Sequence, residues 1–556
     1  MKGNLAVFRY LRATLAIGMS GLVLVTTPAS AAVQHDLIQG SGSSWAANAV
    51  NQWISDVEPN GLKVVFTSNG SAQGRKDFAN LQSDYAVSDI GYLGYDPVTQ
   101  SSDTSNGRAY AYLPIVAGGT SFPYQIRQGK NLVKNLRLSG ETIAKIFTNT
   151  ITNWDDPEIT ADNNGHAMPN LQIIPVVHSE GSGSSYQFTR YLATEYPNIY
   201  TDGATEYFNR KGSQVAENGS DGVMNFLTSG AANGAIGYDE YSYPLDKGHY
   251  PTAKVLNKAG YYTLPNQYNV AVALTKAQVN YDQDPSHCKS LGFNTTPCYL
   301  LQNLNNVYTY SDSRVYPLSS YSYMIIPTAS DDAKMTTAKR QTLADYLYYS
   351  ICQGQKGMGY IGYSPLPVNL VQAGFQQIAQ LHNADHNVDL TNESITSCHN
   401  PTFIAGHPDQ NYLAKVAPQP PACDKQGAGP CTDTGNTGQL NPGSGGVVKQ
   451  TGGGSNTTTG LTSGSHTGTG TTGTGVTVPT GSLGGTGQTV NPATGQVSNG
   501  TGDVSAASGS VNDVAATLPA SQSSAMTGLL GGLCAILLLG LIIAPPVLLR
   551  RTAPRK

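Results

Sequence analysis

HSEGSGSSYQFTRYL, residues His178 to Leu192, sets a Gly/Ser turn directly before a stretch with helical spacing. It follows LQIIPVV (Leu171 to Val177), a short apolar run of the kind that forms a buried strand. The same order recurs upstream, where LKVVFTS (Leu62 to Ser68) leads into SNGSAQGRKDFANL (Ser68 to Leu81). GSGSSWAANAVNQW (Gly40 to Trp53) also feeds a helix, and GETIAKIFTN (Gly140 to Asn149) has helical spacing. Strands alternating with helices predict an α/β fold with mainly parallel sheets. The segment that carries them, Gln34 to Cys431, has about 400 residues and is too large for one core, so two lobes are expected.

Each of the three turns has glycine to bend the chain tightly and serine to cap a helix. The first turn of a helix leaves its N–H groups unpaired and carries the positive end of the dipole. One such end is ordinary capping; three in one chain point to a shared anion site that needs no metal.

The ends of the chain read differently. Lys2, Arg9 and Arg12 precede an apolar run from Leu15 to Val25 and then TPASAA, so residues 1–32 read as a secretory signal peptide cut after Ala31 or Ala32. Thr527 to Leu549 is almost wholly apolar, long enough for a transmembrane helix, and the basic tail 550–556 belongs in the cytosol. LPASQ (Leu518 to Gln522) faintly resembles a sorting signal but lacks its Thr-Gly pair. Residues 432–526 are rich in Gly, Thr and Ser with almost no charge, which predicts a disordered linker spanning about 50 Å. Six of the seven cysteines (Cys288, Cys298, Cys352, Cys398, Cys423, Cys431) lie before that linker, an even set that suggests disulfides, with sequence neighbours the simplest of the possible pairings.

Lys plus Arg total 32 against Asp plus Glu 36, without clustering outside the termini, which argues against nucleic acid as a partner. No G-x-S-x-G elbow and no H-E-x-x-H motif occurs, so neither a serine hydrolase nor a zinc protease is indicated; His382 and His386, four apart, fit a hydrated helix end better than a metal site. No cofactor is expected.

At the three turns the chain resembles the phosphate-binding receptors of ABC-type phosphate importers, a family of two-lobed periplasmic-type binding proteins. EGSGSSYQFTRYL is similar to their DGSGTSFVFTSYL, YAVSDI (Tyr85 to Ile90) to their FGASDA, and LSGETIAKIFTNTITNWDDPEI (Leu138 to Ile159) to a further family stretch. GAIGYDEYSY (Gly234 to Tyr243) and GYSPLP (Gly362 to Pro367) also match landmarks. The likeness covers about Ile38 to Leu381, with an extra stretch near Tyr281 to Asn305.

The resemblance implies a type II fold with a ligand cleft between lobes. Residues 33–115 and 266–431, the latter with the disulfide-bearing insertion, would form one lobe, and 116–265 the other. It further implies that inorganic phosphate takes hydrogen bonds from Ser44, the Trp45 amide, Ser71, Ser182, Gly183 and Ser184. Asp89 would accept from a protonated phosphate oxygen and repel sulfate. ABC permease and ATPase subunits would be the partners, and the protein would be exported and anchored to the cell membrane with its folded domain outside. Reuse of the fold for adhesion or signalling, or as a phosphate-ester hydrolase, are the competing expectations.

One departure stands out. Where the family has an anion-pairing Arg, this chain has His178, which offers neither a fixed fork nor a permanent charge. The expectation is that its charge is partly absent at neutral pH, with Arg75 as the alternative counter-charge. Ala46 and Ala47 also stand where the family usually has prolines.

Overall fold

The computed structural model describes residues 34–407 and 410–431, and two short strands further on. The chain divides into two compact units, Met1–Thr462 and Ser463–Lys556. In the first unit β1 (Ile38–Gly42) leads to helix α1 (Ala47–Val57), β2 (Val64–Thr67) to helix α2 (Ser71–Ala79), and β3 (Tyr85–Ser88) follows. β1 runs parallel to both β2 and β3, with Ile38 opposite Val64 and Gly40 opposite Tyr85. Helix α1 buries Ala49, Val50, Trp53 and Val57, the apolar stripe that its spacing dictates. Helix α2 lies close over the end of β1, because a Cβ on Gly74 would fall 2.4 Å from the Gly42 Cα. That close approach brings the start of α2 beside the end of β3.

β4 (Tyr110–Pro123) is buried along its whole length, an unbroken rather than alternating pattern because both its faces are covered. Its last residues, Thr120 to Pro123, pair with Asp239–Glu240 and Thr252–Ala253, so this strand carries the chain from the large sheet into the second half of the molecule. There β5 (Ile174–His178) is the middle strand of a three-stranded parallel sheet, between Val215–Glu217 and Ala235–Gly237. Helix α3 (Gly183–Glu195) follows it. Val176, Val223, Met224 and Leu227 form a separate small core beneath this sheet.

β6 (Ser319–Pro327) inserts between β3 and β4 and is antiparallel to both, with a register shift between Ser322 and Tyr323. The large sheet is therefore mixed, where a mainly parallel one was expected. The second half of the molecule separates β4 from β6 in the chain, so no single βαβ unit sets their direction. The expected helix at Gly140 is found as Gly140–Phe147, capped by Ser139, and the helical stretch after the third Gly/Ser turn as α3.

The disulfides join sequence neighbours: Cys288–Cys298, Cys352–Cys398 and Cys423–Cys431. The last closes a small loop that docks on the second half of the molecule. Arg137 donates to the carbonyls of Cys423 (3.1 Å) and Ala428 (2.8 Å), Asn164 donates to that of Gly429, and Lys254 pairs with Asp424 at 2.6 Å.

The leader (1–32), the apolar stretch 527–549 and the basic tail 550–556 lie outside the described residues. So does most of 432–526, but Gln488–Val490 and Val497–Asn499 pair as antiparallel strands. QTV and VSN carry β-branched residues around an Asn-Pro turn signal. Among the described residues no helix is long and apolar enough to cross a membrane.

Trp154 is fully buried and its indole N–H donates to the Gly234 carbonyl at 2.9 Å. Trp154→Ala should cost about 3–5 kcal/mol, measured as a lower urea midpoint with an unchanged denaturant slope.

Candidate anion site

Asp89 follows β3 directly and is 2 % exposed. Its Oδ1 accepts from the Ser43 hydroxyl (2.7 Å) and the Ser322 hydroxyl (2.8 Å), and its Oδ2 from the Ser71 hydroxyl (3.2 Å). Burial pushes this carboxyl above the usual aspartate range, and the three serine donors pull it back. The donors come from three segments distant in sequence: the turn after β1, the first residue of α2, and the bulge in β6.

Two of the expected donors, Ser71 and Gly183, meet at this carboxylate from the two halves of the molecule. A Cβ on Gly183 would lie 2.4 Å from Asp89 Oδ2 and 2.6 Å from Ser71 Oγ, so the N-terminus of α3 presses against the start of α2. The Ala72 amide donates to the Gly181 carbonyl across that contact at 3.0 Å. Ser182 caps α3 by accepting from the Ser185 amide. Among the described residues the amides of Ser44, Trp45, Ser71, Gly183 and Ser184 donate no hydrogen bond, and the buried Ser184 hydroxyl has no partner. Such groups are costly to leave unpaired and are suited to an anion.

Two of the expected residues are engaged otherwise. The Ser44 hydroxyl meets the amide (3.2 Å) and hydroxyl (3.1 Å) of Ser220, at the start of helix Gly219–Thr228. Trp45 is buried with its ring edge-on to Tyr363, whose hydroxyl donates to the Trp45 carbonyl. Ser71 is the first residue of α2 and does not cap it; the cap position is Gly70.

His178 ends β5 and is 2 % exposed. Its Nδ1 lies 2.8 Å from Glu180 and its Nε2 3.3 Å from the Tyr238 carbonyl. Glu180 in turn accepts from the Gly219 amide at 2.9 Å. Burial opposes the imidazolium, but the Glu180 and Asp239 carboxylates outweigh it and raise the His178 pKa above its ordinary value. The hydrogen-bonded Glu180 carboxylate thus favours the protonated ring, where the sequence alone suggests an isolated imidazole.

Arg75 is not a spare counter-charge either. Its fully buried guanidinium is held by Asp103 at 2.8 Å and Glu206 at 2.6 Å, with Ser88 as a further partner. Swinging it toward the anion site would strand two buried carboxylates, a cost of several kcal/mol.

Ser43, Ser322, Glu180 and Ser220 were missed by sequence reasoning. Ser43 stands beside the serine that was chosen, and a two-residue Glu–His spacing on a strand end was a usable signal for the ion pair. Ser322, in SSYSYMIIP, carries none: its role depends on β6 arriving between β3 and β4.

Residues 26–353 match the family pattern of a PBP superfamily domain. The phosphate-binding protein PstS 2 of Mycobacterium tuberculosis is 30% identical over 335 residues, covering 59% of this chain and 83% of that protein. The phosphate-binding protein PstS of Xylella fastidiosa is 28% identical over 356 residues, 62% of this chain and 86% of that one. Among solved structures, a high affinity periplasmic phosphate-binding protein bound with phosphate shares 19% identity, covers 64% of this chain and 99% of its own, and superposes with a TM-score of 0.48.

Next to the site, burial raises the Asp239 pKa to about 7. A carboxyl raised on folding binds more protons in the native state, so stability should fall as pH rises from about 4 to about 7. His178 adds a loss of the same sign above about 6.5, its ordinary value, while the lowered Glu180 works in the opposite direction only below about 4.5. Urea unfolding in phosphate-free buffer should show this decline, and Asp239→Asn should flatten it below pH 7.

Proposed function

The chain belongs to the PBP superfamily and is a distant homologue of the phosphate-binding proteins of ABC phosphate transporters; on that premise we propose that it is a non-enzymatic receptor for inorganic phosphate. The observation that carries this reading is the set of unpaired amides and the unpaired Ser184 hydroxyl collected around the buried Asp89 carboxylate. In the proposed complex the amides of Ser44, Trp45, Ser71, Gly183 and Ser184, with the hydroxyls of Ser182 and Ser184, donate to the phosphate oxygens, while the Ser71 hydroxyl stays on Asp89. Dipoles at the starts of α2 and α3 favour the anion. Asp89 accepts from the one oxygen that carries a proton, a bond that sulfate cannot supply near neutral pH. His178 holds Glu180, which fixes the turn at Gly219, and lends positive charge from behind the cradle.

Residues 33–115 with 266–431 would be one lobe and 116–265 the other, closing on the ligand about a hinge as two-lobed receptors do. A hydrolase is the weaker reading, because both His178 nitrogens are engaged by Glu180 and the Tyr238 carbonyl, leaving no base for a serine nucleophile. We place the folded unit outside the cell, delivering phosphate to a permease with ATPase subunits, with residues 527–549 as its membrane anchor.

Two outcomes test this. Calorimetry should give one phosphate per chain, and Asp89→Asn should weaken it roughly 10- to 100-fold, the value of one hydrogen bond to a charged group, while sulfate binding appears. Sulfate exclusion unchanged in the variant would assign selectivity elsewhere. Deleting residues 527–556 should release the protein from membranes into the medium; a full-length protein already free there would refute the anchor.

A further inference from the structure

Beside the anion site lies a second cavity, of about 290 Å³. Tyr186, Gln187 and Arg190 of α3 line one side of it, and Tyr323 of β6, Asn294 and Gln302 the other. Asn294 belongs to the loop closed by the Cys288–Cys298 disulfide. Apart from Asp89, none of the proposed phosphate contacts lines this space, so it is distinct from the cradle. Its volume stands at the lower edge of the roughly 300–1,000 Å³ typical of small-molecule sites.

The wall holds polar groups with nothing to bind. Gln187 donates its amide nitrogen to the Asp89 carbonyl at 2.9 Å, which fixes the side-chain orientation and leaves its Oε1 buried without a partner. Gln302 does the same toward the Tyr321 carbonyl at 3.3 Å, and its Oε1 is likewise unpartnered. The Tyr323 hydroxyl is buried beside Gln302 and makes no well-formed hydrogen bond. Arg190 makes no ion pair or hydrogen bond among the described residues, and its charge is felt at the hydroxyls of Tyr186, Tyr308 and Tyr323. A buried polar group without a partner costs about 1–3 kcal/mol, and a free guanidinium beside phenol donors is matched to a carboxylate or phosphate. The two amide oxygens ask for hydroxyl donors on the same molecule.

We propose that this cavity binds a small hydroxylated organic anion, its acidic group on Arg190 and the tyrosine hydroxyls and its own hydroxyls on Gln187 and Gln302. Such a ligand touches α3 on one side and β6 with the disulfide loop on the other, so it bridges the two faces that close on phosphate. By linkage, each ligand then tightens the other. Only this coupling rests on the phosphate reading; the site itself does not.

The test uses the full chain, freed of phosphate, titrated with gluconate and with glycerol 3-phosphate, each with and without saturating inorganic phosphate. The expected result is 1:1 binding of at least one probe with phosphate present, tighter than in its absence. Gluconate alone would assign a carboxylate ligand, glycerol 3-phosphate alone a phosphate ester. Arg190→Gln should weaken the probe roughly tenfold or more. Tyr323→Phe, which keeps the ring in place, should weaken it too. Neither variant should change the affinity for inorganic phosphate measured alone. Absence of binding by both probes, binding indifferent to both substitutions, or competition with inorganic phosphate would overturn the proposal. A probe that binds while inorganic phosphate does not would sustain the site and refute the phosphate receptor.

Discussion

A single buried carboxylate organises the centre of this molecule. Asp89 has lost its water, and an ion so placed persists only if its oxygens are satisfied from the protein. The serines that satisfy it come from the turn after β1, the start of α2 and the bulge of β6, so the requirement of one charge fixes three chain segments at once. The close contact of α2 with β1 and the antiparallel insertion of β6 are the backbone arrangements that let those hydroxyls arrive. The N-terminus of α3 then meets the same point from the other half, at Gly183, where the lack of a side chain is what allows the approach.

Most of the α/β half of this architecture was legible in the chain. Apolar runs followed by Gly/Ser turns gave β2, β5 and their helices, because local pattern and local turn chemistry agree there. The strand β6 and its antiparallel direction were not legible, since a continuous buried run has no period that states which way it lies or beside what. The site divides along the same line. Ser71, Asp89 and Ser182 to Ser184 sit on local motifs, whereas Ser322 enters through a long-range pairing. The pairing of Ser44 with Ser220 is also a contact between distant segments, and no spacing encodes it.

Two charges illustrate how tertiary partners overrule residue type. A histidine in place of an arginine reads as a weaker, pH-dependent cation, yet Glu180 two residues on supplies a carboxylate that favours its protonated form. An arginine at the start of a helix reads as available, yet Asp103 and Glu206 hold it completely. Both outcomes follow from the cost of leaving a charge buried and alone, which selects the nearest partner over the one that a motif suggests.

The docking of the Cys423–Cys431 loop has a mechanical meaning. The chain crosses back after the helices that cover the large sheet, and residues Cys423 to Cys431 are fastened to Arg137, Asn164 and Lys254. A force applied along the 125 residues that follow Cys431 (556 minus 431) would be borne first by that staple, and so by the half that carries the three-stranded sheet. The covalent loop distributes the load over two hydrogen bonds from the Arg137 Nη1 and a salt bridge instead of a single peeling strand.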